Sequence, residues 1–301
     1  MYVGVTDTNW FEFLSELQPD EVNFWRPCQP KNVHIVREGD LFLFKLHSPD
    51  NFVVGGGFFL RHAILPLSMA WECFREKNGA PSIDRVQALI RKHRAEAELN
   101  PLIGCTILSE PFFFPRDQWI PIPNDWATNI VSGRTYETND PIGLQLFNDI
   151  QARLKIGNTN GLSLGEDSPL YGKQYLQTAR VGQGAFRVLV TDAYTRRCSI
   201  TGERTLPVLE AAHIKPYAEH GPNRICNGLL LRSDLHVLFD KGYLTVTPEH
   251  CVKVSDRIRE EFENGKDYYA LNGQALKFLP KRIEDRPSQE FLTWHNTKIY
   301  A

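Results

Sequence analysis

Residues 198–246 read CSITGERTLPVLEAAHIKPYAEHGPNRICNGLLLRSDLHVLFDKGYLTV, and the rest of the chain is best understood outward from this stretch. Three polar residues stand in it in the order His213-x13-Asn227-x8-His236. The alternation of apolar and polar residues predicts, in order, a strand over 206–214, a polar loop, a short strand over 228–231 and a helix over 233–242. The stretch therefore predicts two strands and a helix, with one of the three polar side chains on each piece.

The predicted helix carries a fourth polar residue. Asp240 lies four positions after His236, so both side chains lie on one face of that helix. Together the four residues include types that serve as a general base, an orienting partner and metal ligands.

This stretch resembles the HNH motif of nucleases of the ββα-metal class. The resemblance extends over about fifty residues, including the flanking pattern AAHI…NGLLL…LHVLFDKG, and not only over the three letters H, N and H. It implies an enzyme that hydrolyses phosphodiester bonds with the help of a metal ion.

The chemistry of that reaction assigns a role to each residue. Histidine ionises near neutral pH, so His213 at the end of a strand can take the proton from water. We expect Asn227, on the neighbouring strand, to hydrogen-bond the imidazole and orient it. We expect His236 and Asp240 to bind one divalent cation, Mg²⁺, Mn²⁺ or another first-row metal, which acts as a Lewis acid on the scissile phosphate.

The stretch departs from the family pattern at two places. Many HNH enzymes have a metal-binding Asp or His directly before the base, where this chain has Ala212. Either the metal has fewer protein ligands here, or Glu210 or another residue contributes. Many relatives also hold a structural zinc ion with two CxxC pairs, whereas Cys198 is followed by Thr201 at the corresponding position, so we expect no structural zinc.

Composition gives further limits. The chain has a formal net charge of −2, with 42% hydrophobic and 23% charged residues, which is typical of a globular protein. Its six cysteines show no pairing pattern, and we see no signal peptide and no apolar run of membrane length, so we expect a cytoplasmic (bacterial) protein without a membrane partner.

Positive charge is concentrated in the C-terminal part of the chain. Residues 180–301 contain 18 Lys and Arg against 15 Asp and Glu. Four arginines precede the motif and are predicted to contact DNA phosphates, with a solvated helix face as the alternative: Arg180, Arg187, Arg196 and Arg197.

Residues 1–154 predict an α+β domain of short strands and a few helices, built on a small, strongly bent sheet or a partly open β-barrel. Gly55, Gly56 and Gly57 within one predicted strand indicate a bulge, a bend or a close approach. The strand order and the GDLFLFK segment resemble the PUA superfamily, and within it EVE-like domains. This resemblance implies a pocket for a flipped, modified base, for which the candidates are Trp25 as stacking partner, Asp7 and Asn23 as edge readers and Trp71 as a second wall. The alternative is that these residues pack in the core.

Residues 155–179 have the Gly-rich composition of a linker, and 180–301 form the predicted nuclease domain, with short strands expected after residue 246. Both halves together resemble restriction endonucleases that recognise modified cytosine (5-methyl, 5-hydroxymethyl or glucosylated) in double-stranded DNA and cleave it. Because one HNH site cuts one strand, we expect a homodimer. Two alternatives stay open: an ordinary restriction endonuclease that reads an unmodified sequence, and a non-catalytic nucleic-acid reader.

Overall fold

The computed structural model describes residues 1–27, 36–92, 98–156 and 181–300. The chain separates into two compact units, Met1–Arg180 and Val181–Ala301. No helix in the described ranges is both long and apolar enough to cross a lipid bilayer.

The N-terminal unit is built on one mixed β-sheet. Its described strands are β1 (Tyr2–Thr6), β2 (Glu21–Arg26), β3 (Leu41–Leu46), β4 (Phe52–Pro66), β5 (Leu102–Phe113), β6 (Ile120–Pro121) and β7 (Gly133–Thr135). They are ordered β2-β5-β4-β3-β1-β7, with β6 paired to β4. The pair β1 and β3 is parallel, while the other pairs are antiparallel.

Helices lie on both faces of this sheet. They are α1 (Thr8–Leu17), α2 (Leu67–Phe74), α3 (Ile83–Arg91) and α4 (Pro141–Ile156). Strand β3 is buried on both sides, because alternate residues point to opposite faces. Phe42 and Phe44 join an aromatic cluster with Trp10 of α1, whereas Leu41 and Leu43 pack in a second cluster that includes residues of α4.

The predicted bulge in the glycine segment is confirmed. The pairing of β4 with β5 shifts register between Gly56 and Phe58 and again between Phe59 and Arg61. A Cβ atom at Gly55 would lie 2.3 Å from the carbonyl oxygen of Phe112, so only glycine allows the two strands to approach this closely.

The predicted small barrel is not closed in the described part of the chain. Strands β2 and β7 stand at the two ends of the strand order and do not pair with each other. A side chain links the two edges instead: Nη2 of Arg26, at the end of β2, donates to the Tyr2 hydroxyl at 3.0 Å and to the Ser132 carbonyl at 2.8 Å. Because β7 has only three residues, it offers little backbone for a ladder that would complete the barrel.

The C-terminal unit contains the predicted ββα arrangement. Its described elements are α5 (Gln183–Ala193), β8 (Leu209–His213), β9 (Gly228–Arg232), α6 (Ser233–Asp240), β10 (Leu244–Val246), β11 (Val252–Val254), α7 (Arg257–Phe262), α8 (Lys266–Tyr269) and α9 (Gln289–Lys298). Strand β8 ends at His213, as predicted, and pairs antiparallel with β9. The expectation of short strands throughout the C-terminal segment was wrong, since helices follow the β10–β11 hairpin.

Helix α5 packs tightly against the motif. A Cβ atom at Gly228 would lie 2.5 Å from Cγ2 of Val190 and 3.0 Å from the ring of Phe186. The Tyr194 hydroxyl also donates to the Gly228 carbonyl at 3.1 Å. The glycine after Asn227 therefore allows α5 to lie directly on β9, which places Phe186 against the functional site.

Candidate active site

His213 is the last residue of β8, where the strand gives way to the polar loop that leads to β9. The Phe186 ring of α5 stacks on its imidazole with centroids 3.9 Å apart and an interplanar angle of 13°. On its edge, Nε2 lies 2.8 Å from Oδ1 of Asn223. The imidazole is therefore held on its face and at one of its two nitrogens.

The surroundings of His213 favour the neutral imidazole. Burial lowers the pKa of His213 below its ordinary value, and His236 acts in the same direction. Asn223 and Asp240 oppose this fall in the pKa. A neutral imidazole at pH 7 can accept a proton, which is the property that a general base needs.

Asn227 makes no hydrogen bond to the imidazole within the described ranges, so its predicted hydrogen bond to His213 was wrong. Its Oδ1 accepts from the backbone N–H of Lys215 at 2.9 Å. Its Nδ2 donates to the carbonyls of Lys215 at 2.9 Å and of Pro222 at 3.0 Å. Asn227 is fully buried and fastens both ends of the loop between β8 and β9, so it positions His213 through the backbone.

His236 and Asp240 lie on one face of α6, as the spacing predicts. Nε2 of His236 is 3.3 Å from Oδ2 of Asp240. The other ring nitrogen, Nδ1, is 2.6 Å from Oε2 of Glu210 on β8. A carboxylate accepts a hydrogen bond, so Nδ1 carries a proton and Nε2 is the ring nitrogen that faces Asp240.

This arrangement fits a divalent cation. A histidine nitrogen and a carboxylate oxygen converge, and a second carboxylate fixes the tautomer of the histidine, as is usual for metal-binding histidines. Burial raises the pKa of Asp240, an effect that nearby His236 opposes and Glu210 strengthens. Among the described residues, no cluster of three or more His, Cys, Asp or Glu side chains is arranged to hold a metal. Two side chains, His236 and Asp240, are thus placed where they could bind a cation directly, with Glu210 behind His236.

One cavity of about 260 Å³ connects these groups. Its lining includes His213, His236 and Asp240. His295 of α9 also lines it, although the composition of the C-terminal segment gave no chemical role to that residue. The His295 ring stacks on Phe239 at 3.7 Å and bonds the Thr245 hydroxyl and the Phe239 carbonyl, so it supports the wall of the cavity.

The four arginines predicted to contact DNA have different surroundings. Arg180 lies outside the described residues. Arg187 is half-buried on α5, and the Arg196 guanidinium lies 3.7 Å from Asp192. The guanidinium of Arg197 lies over the ring of Phe278, 4.8 Å from its centroid. Their role in binding phosphate stays a prediction.

The four candidates for the base pocket of the N-terminal unit have different surroundings. Asp7 is the N-cap of α1 and accepts from the Trp10 backbone N–H at 2.8 Å. Asn23 is fully buried and donates to Oδ1 of Asn78 at 2.9 Å. Oδ1 of Asn23 is buried without a hydrogen-bond partner among the described residues, and Asp7 is exposed. Their role as edge readers stays a prediction.

The two tryptophan candidates are half-buried. The indole N–H of Trp25 donates to the Asn78 carbonyl at 2.8 Å, and Trp71 lies on α2. Their role in stacking on a base stays a prediction.

A cavity of about 270 Å³ lies elsewhere in the N-terminal unit, where β3 ends. We call it the Lys45 cavity; it is lined by Val5, Lys45, His47, Ser48, Asn51, Ile122, Trp126, Thr128, Ile130 and Val131. Lys45 is only 3% exposed, yet no carboxylate of the described residues pairs with its ammonium group. Nζ instead donates to Oδ1 of Asn51 at 2.7 Å and lies 5.2 Å from the centroid of the Trp126 ring. Burial lowers the pKa of Lys45.

Comparison with known proteins agrees with the geometry of the C-terminal site. Residues 198–247 match a family model described as HNH endonuclease, and this range includes His213, Asn227, His236 and Asp240. The chain contains an HNH endonuclease domain.

The other comparisons add little to this assignment. No curated protein matches the chain. A solved structure described as "Modification dependent TagI restriction endonuclease" aligns with 93% of this chain and 76% of its own, at 14% identity and a TM-score of 0.28. A similarity this low carries no argument about fold or function.

Proposed function

We propose that the chain is a metal-dependent endonuclease that cleaves DNA through its HNH domain. The observation that carries the proposal is the meeting of His213 with the His236–Asp240 pair in one cavity of an HNH domain. A general base and a metal-binding pair are the two parts that hydrolysis of a phosphodiester needs from the protein.

Each described side chain has a defined task in this mechanism. Neutral His213 accepts the proton of the attacking water, and Asp240 helps to stabilise the imidazolium that results, because its charge raises the pKa of His213. His236 and Asp240 hold the cation, and Glu210 keeps the proton of His236 on Nδ1. When bound, a divalent ion supplies Lewis-acid stabilisation of charge on the phosphate and on the leaving oxygen.

The small number of protein ligands bears on the choice of metal. Mg²⁺ is commonly bound through one or two carboxylates, with water and substrate phosphate filling its other positions. One histidine and one carboxylate also suit Mn²⁺ or another first-row ion. We propose that Ala212, at the position where many relatives have a ligand, is offset by phosphate and water and not by a third side chain.

We further propose that the N-terminal unit reads a modified cytosine that is flipped out of the duplex, and that the Lys45 cavity receives it. The Lys45 ammonium is a donor, and Oδ1 of Asn51, 2.7 Å away, keeps acceptor capacity. The pairing edge of cytosine presents ring atom N3 as an acceptor beside the donor N4 amino group. Trp126 and the apolar side chains of the cavity offer a wall for the ring and for a substituent at C5.

The Lys45 cavity also suggests why a ligand would be retained there. A buried ammonium without a carboxylate partner is costly, and a base that accepts a hydrogen bond from it offsets part of that cost. Flipping a base costs a few kcal/mol, which contacts in the cavity must return. Selectivity then arises because an added C5 group contributes further apolar contact.

Cleavage of both strands requires two cuts, because one HNH site cuts one strand. We propose a homodimer, or two binding events on one duplex, as the way in which double-stranded DNA is cut. Sedimentation of the protein with and without a cognate duplex tests this part of the proposal.

A cleavage assay on matched plasmids tests the function. One plasmid is unmodified, one carries 5-methylcytosine and one carries 5-hydroxymethylcytosine or its glucosylated form, each with Mg²⁺ or Mn²⁺ and with an EDTA reaction as the blank. We expect cutting of modified DNA only, and none in EDTA. Equal cutting of all plasmids would support the proposed nuclease and contradict the proposed reader of modified bases. Binding without cutting under any metal would favour the non-catalytic reader.

A further inference from the structure

Asn223 stands in the loop between β8 and β9, four residues before the Asn of the HNH pattern. Its side chain makes two hydrogen bonds of opposite kind. Oδ1 lies 2.8 Å from Nε2 of His213, and Nδ2 donates to the Val181 carbonyl at 2.6 Å.

The bond to Val181 fixes which way the amide faces. If the amide were turned over, Oδ1 would lie 2.6 Å from the carbonyl oxygen of Val181, and two acceptors would repel each other. Oδ1 therefore faces the imidazole, and Nε2 of His213 must be the donor in that bond.

The orientation of Asn223 in turn fixes the tautomer of His213. With the proton on Nε2, the neutral imidazole has its lone pair on Nδ1. Because Phe186 covers a face of the ring and Asn223 occupies one nitrogen, Nδ1 is the atom left to accept a proton.

We propose that Asn223 is the positioning residue of the general base: it holds His213 in the Nε2–H tautomer and leaves Nδ1 as the atom that takes the proton from water. This inference rests on the proposed function for its catalytic consequence, but the tautomer itself exists without DNA or metal. It moves the orienting role from Asn227, which fastens the loop, to a second asparagine of the same loop.

The surroundings of the imidazole define how the rate depends on pH. Asn223 from the loop and Phe186 from α5 are uncharged, whereas His236 and Asp240 reach the site from α6. A carboxylate in place of the Asn223 amide would favour the imidazolium, so the acidic limb of the pH–rate profile moves to higher pH.

Two variants separate the effect of Asn223 on the His213 imidazole from the effect of its hydrogen bond to the Val181 backbone. Asn223→Ala removes both hydrogen bonds. Asn223→Asp keeps the acceptor for His213 and loses the donor to Val181. Asn272→Ala is the matched control, because Asn272 makes one side-chain hydrogen bond to the backbone N–H of Val254 in the same unit.

The experiment joins ¹⁵N NMR of the histidine ring nitrogens of the full chain with single-turnover cleavage between pH 5 and 9. We expect wild type and Asn272→Ala to show His213 protonated at Nε2, with signals assigned by their loss in His213→Gln. We expect Asn223→Ala to mix the tautomers and to slow cleavage by about ten- to a hundred-fold. Asn223→Asp should keep the tautomer, with its pH profile displaced upward, and should lose less rate than Asn223→Ala although its second oxygen faces the Val181 carbonyl.

Three results would overturn the proposal. A wild-type His213 protonated at Nδ1 contradicts it directly. An unchanged tautomer and rate in Asn223→Ala would show that the bond has no effect. Equal losses in Asn223→Ala and Asn223→Asp would mean that only the bond to Val181 matters. If wild type shows the expected tautomer but cuts no DNA, the proposed function fails while the structural assignment stands.

Discussion

The cavity lined by His213, His236 and Asp240, here called the HNH cavity, differs from the Lys45 cavity in how its polar side chains are held. In the HNH cavity each imidazole has a dedicated partner: Asn223 for His213 and Glu210 for His236. In the Lys45 cavity a single buried ammonium is held by an amide oxygen and an aromatic ring, without a carboxylate. A reacting group needs one fixed protonation state, whereas a recognition site needs hydrogen-bonding capacity that its ligand can satisfy.

Other polar residues are weaker candidates for catalysis or for recognition of a base, because their side chains already have partners. Asp7 accepts the N-cap hydrogen bond of α1, and His295 has a partner for each ring nitrogen. Their contacts stabilise structure and leave little capacity for a substrate. Changes at these residues should therefore affect stability, and changes in the two cavities should affect activity or selectivity.

After the loss of the general base itself, the largest effect is expected at the metal pair. Asp240→Asn removes the charge of one of the two direct ligands, so we expect Mn²⁺ to bind about ten- to a hundred-fold more weakly, with a similar loss of cleavage at limiting metal. Titration of Mn²⁺ followed by electron paramagnetic resonance measures the affinity. Asp256→Asn, on the same unit but away from the cavity, is the control. Unchanged Mn²⁺ affinity in Asp240→Asn would place the metal elsewhere.

A smaller effect is expected at the Lys45 cavity, where selectivity is the quantity to measure. Lys45→Met keeps the length of the side chain and removes its donor to the pairing edge, so we expect the preference for a duplex with the modified cytosine over one in which another base replaces it to fall by about tenfold, which is the size of one hydrogen bond to a charged group. Competition binding with duplexes that differ only at one cytosine gives this ratio.

Asp7→Ala is the control for that measurement. Loss of the N-cap should lower the free energy of unfolding by about 1 kcal/mol without changing the preference. If Asp7→Ala removed the preference while Lys45→Met kept it, the result would contradict the proposal that the Lys45 cavity receives the flipped base.

The third effect concerns stability as a function of pH. Burial lowers the pKa of His295 to about 4, below its ordinary value, and its bond to the Phe239 carbonyl only partly opposes this. The folded state therefore favours neutral His295, and the stabilisation is present in full above about pH 6.5 and is lost as pH falls toward 4. This difference in the pKa of His295 between the folded and unfolded states contributes up to about 3 kcal/mol to the free energy of unfolding.

Hydrogen exchange of the α9 backbone between pH 4.5 and 7.5 measures this local stability. We expect protection of α9 from exchange to fall as the pH is lowered. In His295→Gln, which has no titrating ring, this dependence of protection on pH should be weaker. A slope that His295→Gln does not change would assign the pH dependence to other groups.

That His213, His236 and Asp240 lie together could be predicted from the sequence, because they stand within fifty residues. Two strands and a helix of that length can bring His213 and His236 together in few ways, and the i, i+4 spacing places Asp240 beside His236. The partners of these residues could not be predicted in the same way. Whether Asn223 or Asn227 meets the imidazole depends on the path of the loop, and both are asparagines at a polar position.

The N-terminal unit was harder to predict because its sheet is buried on both faces. An aromatic residue on a doubly buried strand packs on either side, so composition cannot separate core from pocket. Lys45 within the apolar strand LFLFKL was the one available signal, since a charged residue on a buried strand requires a reason. The α9 helix was missed because its sequence is polar, with Leu292 and His295 as its buried residues.

The central claim is that His213 provides the chemistry of cleavage and not the binding of DNA. The most direct test is the single-turnover cleavage rate of His213→Ala, measured with its affinity for the same modified duplex and metal. We expect the rate to fall by about 10²- to 10⁴-fold, as is usual for loss of a general base, with the affinity unchanged. Cleavage by His213→Ala at the wild-type rate, with intact binding, would contradict the account.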